Sequence, residues 1–203
     1  MTRIAVIDHG AGNLVSIVNA LTAIGEDPRV VSSPDDMGAA EAVVLPGVGA
    51  TAPAMRRLVE TGLDDALRAW DGPLLGICVG FQLLFDDSDE DGQACLGVIP
   101  GTVREITGRP LPHMGWNDVE HSGDPVFSGI PSGEPFYFVH SFAPVPKSDT
   151  ATVATTRHGG SFVAAARDGN RVGVQFHPER SGVSGARLLA NFVAIAKENR
   201  RVA

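Results

Sequence analysis

Short apolar runs alternate with amphipathic segments in the first part of the chain. Residues 3–8 predict a buried strand, and the apolar residues after Asn13 recur every three or four positions until Gly25, which predicts a helix. The same alternation continues with predicted strands at 29–31, 42–45 and 74–77 and with helical segments within 54–67. Such alternation is typical of a mainly parallel sheet that is covered by helices on both faces.

The pattern changes between residues 96 and 176, where short runs rich in Val, Phe and Tyr are separated by Gly, Pro and Asp. These runs predict added antiparallel strands at 101–106, 115–119, 136–139, 162–166 and 171–176. A final amphipathic helix follows, and Lys197, Arg200 and Arg201 near its end would complement its dipole. The predicted fold is α/β: a mainly parallel, doubly wound sheet plus antiparallel strands, in a single domain over residues 1–203.

Composition and charge narrow the class of function. The 203 residues carry 16 Lys and Arg against 24 Asp and Glu, which gives a formal net charge of −8 and a pI near 5.1. Scattered basic residues in an acidic chain argue against nucleic-acid binding. No apolar run approaches the roughly 18 residues of a membrane span, and the N-terminus does not fit a signal peptide. We expect a cytoplasmic protein whose partners are small molecules or other proteins.

The two cysteines differ in their surroundings. Cys78 lies in Gly76-Ile77-Cys78-Val79-Gly80, after a predicted strand and before a predicted helix that runs through Phe85, the pattern of a nucleophile elbow. The helix N-terminus would favour the Cys78 thiolate and offer the Val79 N–H to an oxyanion. A buried structural cysteine is the alternative, and it is the interpretation for Cys95. Two such cysteines indicate neither a disulfide framework nor a metal site.

His177 is the candidate base for this thiolate. It ends a predicted strand, which in a parallel sheet would reach the same edge as Cys78. Pro178 favours extended backbone at His177, so that Glu179 can point to the same side and hold the imidazole. His-x-Glu alone also fits a surface turn. Together with the elbow, it indicates a hydrolase that works by acyl transfer to cysteine.

Two loops have competing interpretations. Pro46-Gly47-Val48-Gly49 follows a predicted strand, so the Val48 N–H can serve as a second oxyanion donor at the same edge. The same glycines form a partial dinucleotide fingerprint, which leaves a non-enzymatic nucleotide-binding module as an alternative. The acidic segment 86–92 contains half of a calcium loop, but its twelfth position is Val98 instead of Glu. We therefore expect a solvated loop there, and no metal or cofactor.

Residues 76–82, followed about a hundred residues later by His177-Pro178-Glu179, resemble the class I, triad-type glutamine amidotransferases over essentially the whole chain. Segments 9–14, 45–49, 112–117, 137–141 and 176–181 resemble, within that family, the glutaminase subunits of imidazole glycerol phosphate synthase. The resemblance implies Cys78 as the nucleophile, His177 as the base and Glu179 as the residue that orients it. It also implies a set of residues that hold glutamine: Gly47, Gly49, Gln82, Ser141 and Phe142.

The resemblance further implies a partner. Glutamine would be hydrolysed to glutamate and ammonia, and the ammonia would pass to a TIM-barrel cyclase subunit. That subunit makes imidazole glycerol phosphate and aminoimidazole carboxamide ribotide in histidine biosynthesis. The glutaminase fold uses nearly all 203 residues, so we expect the cyclase as a separate chain in a one-to-one heterodimer that activates the glutaminase. Asn13, Trp116 and Arg180 are expected near the interface. A glutaminase component of another synthase, such as anthranilate or pyridoxal phosphate synthase, is the alternative enzyme.

Overall fold

The computed structural model describes residues 1–202 and the side chains of residues 1–198, so the expectation for Arg200 and Arg201 lies outside the described side chains. The helices are α1 (Leu14–Ala23), α2 (Thr51–Thr61), α3 (Leu63–Ala69), α4 (Val79–Gln82) and α5 (Gly182–Val202). The strands are β1 (Arg3–Ile7), β2 (Asp27–Val31), β3 (Ala42–Gly47), β4 (Leu74–Cys78), β5 (Asp87–Ser88), β6 (Gln93–Ala94), β7 (Gly101–Glu105), β8 (His113–His121), β9 (Glu134–His140), β10 (Phe142–Pro146), β11 (Thr152–His158), β12 (Gly160–Asp168) and β13 (Arg171–Val174).

The strands form two sheets. Nine strands form one mixed sheet in the order β2-β1-β3-β4-β13-β12-β11-β8-β9, in which β1 to β4 and β13 are parallel and the remaining four are antiparallel. A smaller sheet has the order β10-β7-β5-β6. The predicted α/β fold, a parallel sheet extended by antiparallel strands, is confirmed.

The register of the central strands brings three chain segments to one edge. β3 and β4 pair with Gly47 opposite Cys78, and β13 pairs with β4 so that Val174 lies opposite Ile77. Because these strands are parallel, the segments that follow them leave the sheet at the same place. Every residue of β3 and β4 is buried, which explains why both read as continuous apolar runs without alternation.

Three local predictions need correction. The run at 171–176, predicted as an added antiparallel strand, forms β13 over 171–174, which is parallel to β4 and belongs to the parallel part of the sheet. The helix predicted to run through Phe85 ends after one turn, at Gln82. Segment 86–92 is not a wholly solvated loop, since β5 pairs with both β6 and β7. No described helix is both long and apolar enough to cross a membrane.

Candidate active site

Cys78 lies at a strained turn where β4 passes directly into α4. Its φ of +55° is the one left-handed value at a non-glycine position among the described residues, a conformation that costs about 1 to 3 kcal/mol. The surrounding glycines make the turn possible. A Cβ on Gly76 would lie 2.7 Å from the Gly80 carbonyl oxygen, and one on Gly80 would overlap the carbonyl of Leu45. The elbow therefore packs backbone against backbone.

His177 and Glu179 form a buried pair beside this turn. Nδ1 of His177 lies 2.8 Å from Oε1 of Glu179, and the two side chains are only 4% and 5% exposed. Since a carboxylate can only accept, Nδ1 carries a proton and donates a hydrogen bond to Glu179. The second ring nitrogen, Nε2, is buried and has no hydrogen-bond partner among the described residues. It is thus available for proton transfer.

The electrostatic surroundings of His177 favour its charged form. Burial alone would lower its pKa, but the interactions with the nearby Cys78 sulfur and with the Glu179 carboxylate outweigh burial and raise the pKa to about 10. An imidazolium beside the sulfur stabilises a thiolate. α4 has only four residues, so its dipole is the weaker of the two expected sources of stabilisation and His177 is the stronger.

A pocket of about 130 Å³ adjoins the sulfur. It is lined by Val48, Gly49, Cys78, Val79, Gln82, Glu90, Val139, His140, Ser141, Phe142 and His177. Both predicted oxyanion donors and four of the five predicted glutamine contacts are in this set. Gly47 is not: it packs behind the pocket, where a Cβ would lie 2.8 Å from the Gly80 nitrogen.

Sequence reasoning missed Val139, His140 and Glu90 among the pocket residues, and the charged one is Glu90. It lies in the turn between β5 and β6, and its Oε2 accepts a hydrogen bond from the Thr51 N–H at 3.2 Å. Burial raises the pKa of Glu90, against the lowering effect of that hydrogen bond. An acidic run such as 86–92 is usually solvated, and the pairing of β5 with the distant β7 helps to hold this one over the pocket.

The predicted interface residues are all exposed. Asn13 caps α1 by accepting a hydrogen bond from the Ser16 N–H at 3.2 Å. Trp116 is 58% exposed and meets the Tyr137 ring edge-on at 6.2 Å, and the Arg180 guanidinium lies 4.5 Å from the centre of the same ring. Because α1 packs against the turn at 178–180, the three residues lie on one end of the molecule, beside His177.

Cys95 contrasts with Cys78. It is 5% exposed, and burial together with the charge of Asp87 raises its pKa to about 12. The thiol therefore stays protonated, in keeping with the structural role predicted for it. Among the described side chains, no group of three or more His, Cys, Asp or Glu residues could hold a metal ion.

Comparison with known proteins identifies the family. The model of glutamine amidotransferase class-I matches residues 5–196. The chain is 48% identical to the imidazole glycerol phosphate synthase subunit HisH of Herpetosiphon aurantiacus, over 95% of this chain and 94% of that protein. It is 46% identical to HisH of Xanthomonas euvesicatoria, over 97% and 99% of the two chains.

Solved structures agree on the fold. A putative GMP synthase chain from Thermoplasma acidophilum superposes with a TM-score of 0.78 at 21% identity, covering 100% of this chain and 97% of that one. A PurLQS structure from Thermotoga maritima gives 0.73 at 21% identity, covering 96% and 99%. At such low identity the likeness concerns the fold alone. Taken with the much closer relatives, it shows that the chain belongs to the class I glutamine amidotransferases, in the family of HisH subunits of imidazole glycerol phosphate synthase.

Proposed function

We propose that this chain hydrolyses glutamine to glutamate and ammonia as one of the subunits of imidazole glycerol phosphate synthase, with Cys78 as the nucleophile. The observation that carries the proposal is the strained Cys78 beside the buried His177–Glu179 pair, on a pocket of about 130 Å³. Its relatives at 46–48% identity are HisH subunits, which supports the synthase and the pathway of histidine biosynthesis.

The chemistry follows from the charges around the sulfur. The Cys78 thiolate attacks the side-chain carbonyl carbon of glutamine, and the backbone N–H groups of Val48 and Val79 stabilise the resulting oxyanion. Nε2–H of His177 then gives its proton to the amide nitrogen, the C–N bond breaks and ammonia leaves a thioester. The neutral imidazole takes a proton from water, whose oxygen attacks the thioester. Collapse of this second oxyanion releases glutamate and restores the thiolate.

Two pocket residues are suited to bind the amino-acid end of glutamine. Glu90 carries charge opposite to that of an α-ammonium group. Both N–H groups of Gln82 are used within the protein, by the Phe142 carbonyl oxygen at 2.9 Å and by Gln175 Oε1 at 3.2 Å. Gln82 therefore has its own carbonyl oxygen left for a substrate donor. The carbonyl oxygen of Ser141, in contrast, already accepts a hydrogen bond from the Ile106 N–H at 3.0 Å.

Glutamate release by Cys78→Ser tests the assignment of the nucleophile. We expect this variant to lose activity in the presence of the cyclase, because a serine hydroxyl is not ionised at neutral pH. Cys95→Ser is the matched control and should keep the wild-type rate. Equal activity of the two variants would contradict the proposal. Glutamate release without synthesis of imidazole glycerol phosphate in the reconstituted pair would instead point to another synthase, such as anthranilate or pyridoxal phosphate synthase.

The partner that we propose is the TIM-barrel cyclase subunit, in a one-to-one heterodimer in the cytoplasm. The end of the molecule beside His177 carries exposed large apolar side chains, among them Met114 at 63% and Trp116 at 58%, as well as Asn13 and Arg180. A contact there would let ammonia pass between chains before it is protonated. Co-elution of the two purified chains at micromolar concentration, with glutamine and the cyclase ligand present, is the expected result. Separate elution would contradict the interface.

We also propose that the occupied cyclase switches the glutaminase on through the loop at 46–49. His9 Nε2 holds the near end of this loop by a 2.6 Å hydrogen bond to the Pro46 carbonyl, and Gly47 is packed against the elbow. Gly49, with φ +88 and no atom within 4 Å of where a Cβ would stand, is the free end. Rotation of the peptide between Gly47 and Val48 would turn an oxyanion donor worth roughly 10²- to 10³-fold in rate.

Gly49→Ala tests this switch. A Cβ disfavours the left-handed φ of Gly49, so we expect a smaller ratio of glutaminase rates with and without the cyclase ligand. Gly169→Ala is the control, because Gly169 has φ +56 and equally open surroundings in the hairpin between β12 and β13. A wild-type ratio near one would contradict the switch and leave the catalytic residues unaffected.

A further inference from the structure

Gln175 is a buried polar residue that the proposed mechanism does not use. It follows β13 and lies two residues before His177, in the bend that leads from this strand to the base. Gln175 is fully buried, and its Nε2 lies 3.7 Å from Sγ of Cys78. A second polar side chain therefore faces the sulfur from the strand that delivers the base.

The orientation of the Gln175 amide follows from one carbonyl group. The Phe142 carbonyl oxygen can only accept, so the Gln82 atom 2.9 Å from it is the nitrogen. That same nitrogen lies 3.2 Å from the Gln175 side chain, which must present its oxygen there. Nε2 of Gln175 is then turned to the sulfur as a donor.

The same carbonyl fixes two histidines. Nδ1 of His140 lies 2.9 Å from the Phe142 oxygen and must carry a proton. Burial lowers the pKa of His140 to about 3, so the ring is neutral at physiological pH and its Nε2 is an acceptor. Nδ1 of His113 lies 3.1 Å away and donates to it. Burial and the nearby His158 lower the pKa of His113 to about 4, so this ring is neutral as well.

These hydrogen bonds form a chain that runs from Asn117 through His113 and His140 to the Phe142 carbonyl. Its far end, at Asn117, fixes the same proton positions independently. Asn117 donates through Nδ2 to the Arg157 carbonyl at 2.8 Å and accepts the Asp118 N–H on Oδ1 at 2.9 Å, which fixes its amide. Nδ2 therefore donates also to Nε2 of His113, at 3.1 Å. His113 must then carry its proton on Nδ1, as deduced from the other end. Two backbone-anchored ends thus agree on every proton in between.

We propose that Gln175 is a further catalytic residue, which donates a hydrogen bond to the Cys78 thiolate, and that His113 and His140 are positioning residues. They hold in place the Phe142 carbonyl group that orients Gln82 and, through it, Gln175. The proposal rests on the proposed function in taking Cys78 as the nucleophile. With the Phe142 carbonyl accepting from both His140 and Gln82, a reversed Gln175 amide would face Gln82 nitrogen to nitrogen and present its oxygen to a negative sulfur. An amide donor stabilises the thiolate without competing with His177 for the transferred proton.

Alkylation of Cys78 by iodoacetamide, measured against pH in the Cys95→Ala protein, reads the thiolate directly. We expect Gln175→Glu to lower the alkylation rate at pH 7 and kcat in the complex by about 10- to 100-fold, the range for one hydrogen bond to a charged group. KM for glutamine should change less than about threefold, since Gln175 does not line the pocket. Gln175→Met, which removes the donor and also the acceptor for Gln82 without adding charge, should show the same loss of alkylation rate.

Gln93→Glu is the matched control, because its side chain bonds only to the neighbouring Ala94 carbonyl, and it should alkylate like the parent protein. Parent-like alkylation rates in both Gln175 variants would overturn the proposal. The wild-type chain separates this proposal from the proposed function. If its Cys78 is alkylated as a thiolate but the chain releases no glutamate with the cyclase, the proposed function is wrong and the donor role of Gln175 still holds.

A double-mutant cycle tests the positioning role. His113→Phe keeps an aromatic ring against Phe138 and His158 but removes both hydrogen bonds. We expect it to slow alkylation several-fold in the parent and hardly at all in Gln175→Met, because the donor that it orients is already gone. Additive effects would overturn this role. His158→Phe is the control, since its Nε2 bonds to the Pro110 carbonyl, outside the chain of hydrogen bonds.

Discussion

Two buried histidine groups lie around Cys78 and have opposite charge behaviour. His177, 3% exposed and paired with Glu179, has a pKa raised to about 10. His113 and His140, 5% and 6% exposed and paired with each other, have pKa values lowered to about 4 and about 3. Burial disfavours the imidazolium in all three. The partner decides the outcome: anionic groups reverse the effect of burial, and a second imidazole does not.

The comparison separates two tasks that histidine performs in one site. His177 holds a proton that it can give up once the Cys78 thiolate has attacked the substrate and lost its negative charge. This behaviour suits general acid and base catalysis. The His113–His140 pair cannot take up a proton near neutral pH without placing two donors face to face, so its role is to hold the Phe142 carbonyl group in position. Breaking the charged group should therefore remove catalysis, and breaking the neutral group should weaken it.

The largest effect is expected from removing the charged ring. His177→Ala should lower kcat for glutaminase activity in the complex by at least roughly 10²- to 10⁴-fold, the range for general acid and base catalysis. It also removes the cation beside the sulfur, so Cys78 alkylation at pH 7 should slow. Steady-state glutamate release and alkylation rates measure both. A variant with unchanged kcat would contradict the role of His177 as the base.

A smaller loss is expected when the charged group loses its anion. Glu179→Gln keeps a side chain of the same shape 2.8 Å from Nδ1 but removes the negative charge that helps to raise the pKa of His177. We expect kcat to fall by about 10- to 100-fold, the value of one hydrogen bond to a charged group. The acidic limb of the alkylation profile should move to higher pH. A kcat loss equal to that of His177→Ala would show that Glu179 does more than orient the ring.

The smallest effect concerns stability in acid. A histidine whose folded pKa lies below its unfolded value of about 6.5 stabilises the fold above that pH, and this stabilisation is lost as pH falls toward the folded pKa. His113, with a folded pKa of about 4, belongs to this class. Between pH 6.5 and 4.5 the wild type should lose about 1 to 2 kcal/mol more of its unfolding free energy than His113→Phe. The unfolding free energy of both proteins is measured by urea titration at each pH. If the two values fall in parallel as the pH is lowered, the assignment of His113 as neutral is contradicted.

The charged group could be found in the sequence because its determinants are local. The elbow requires small residues on either side of Cys78, and His177 and Glu179 are only two positions apart. The structure joins these two residues by a single 3-10 turn at 178–180 instead of the extended backbone that was expected there. Gln175 lies two positions before His177, as Glu179 lies two positions after it, so the sequence carries a local signal for Gln175 as well. Asn13, Trp116 and Arg180 stay predicted interface residues, and the single domain over residues 1–203 also stays a prediction.

The neutral group could not be found in this way. His113 and His140 are direct cross-strand partners of β8 and β9, and this pairing depends on a register set across the intervening loop. Glu90 likewise depends on β5 pairing with β7, between segments with no local signal for each other. Residues brought together by register between separate segments are absent from any local pattern.

The backbone contact at the elbow has a consequence for mutational tolerance. A side chain at position 80 would overlap the carbonyl of Leu45, and one at Gly47 would lie within 3 Å of Val79 and Gly80. In a saturation screen for histidine prototrophy, these positions should accept glycine alone, as strictly as Cys78 accepts cysteine. Their intolerance would record the closeness of two main chains, and it would arise without any contact between these glycines and the substrate.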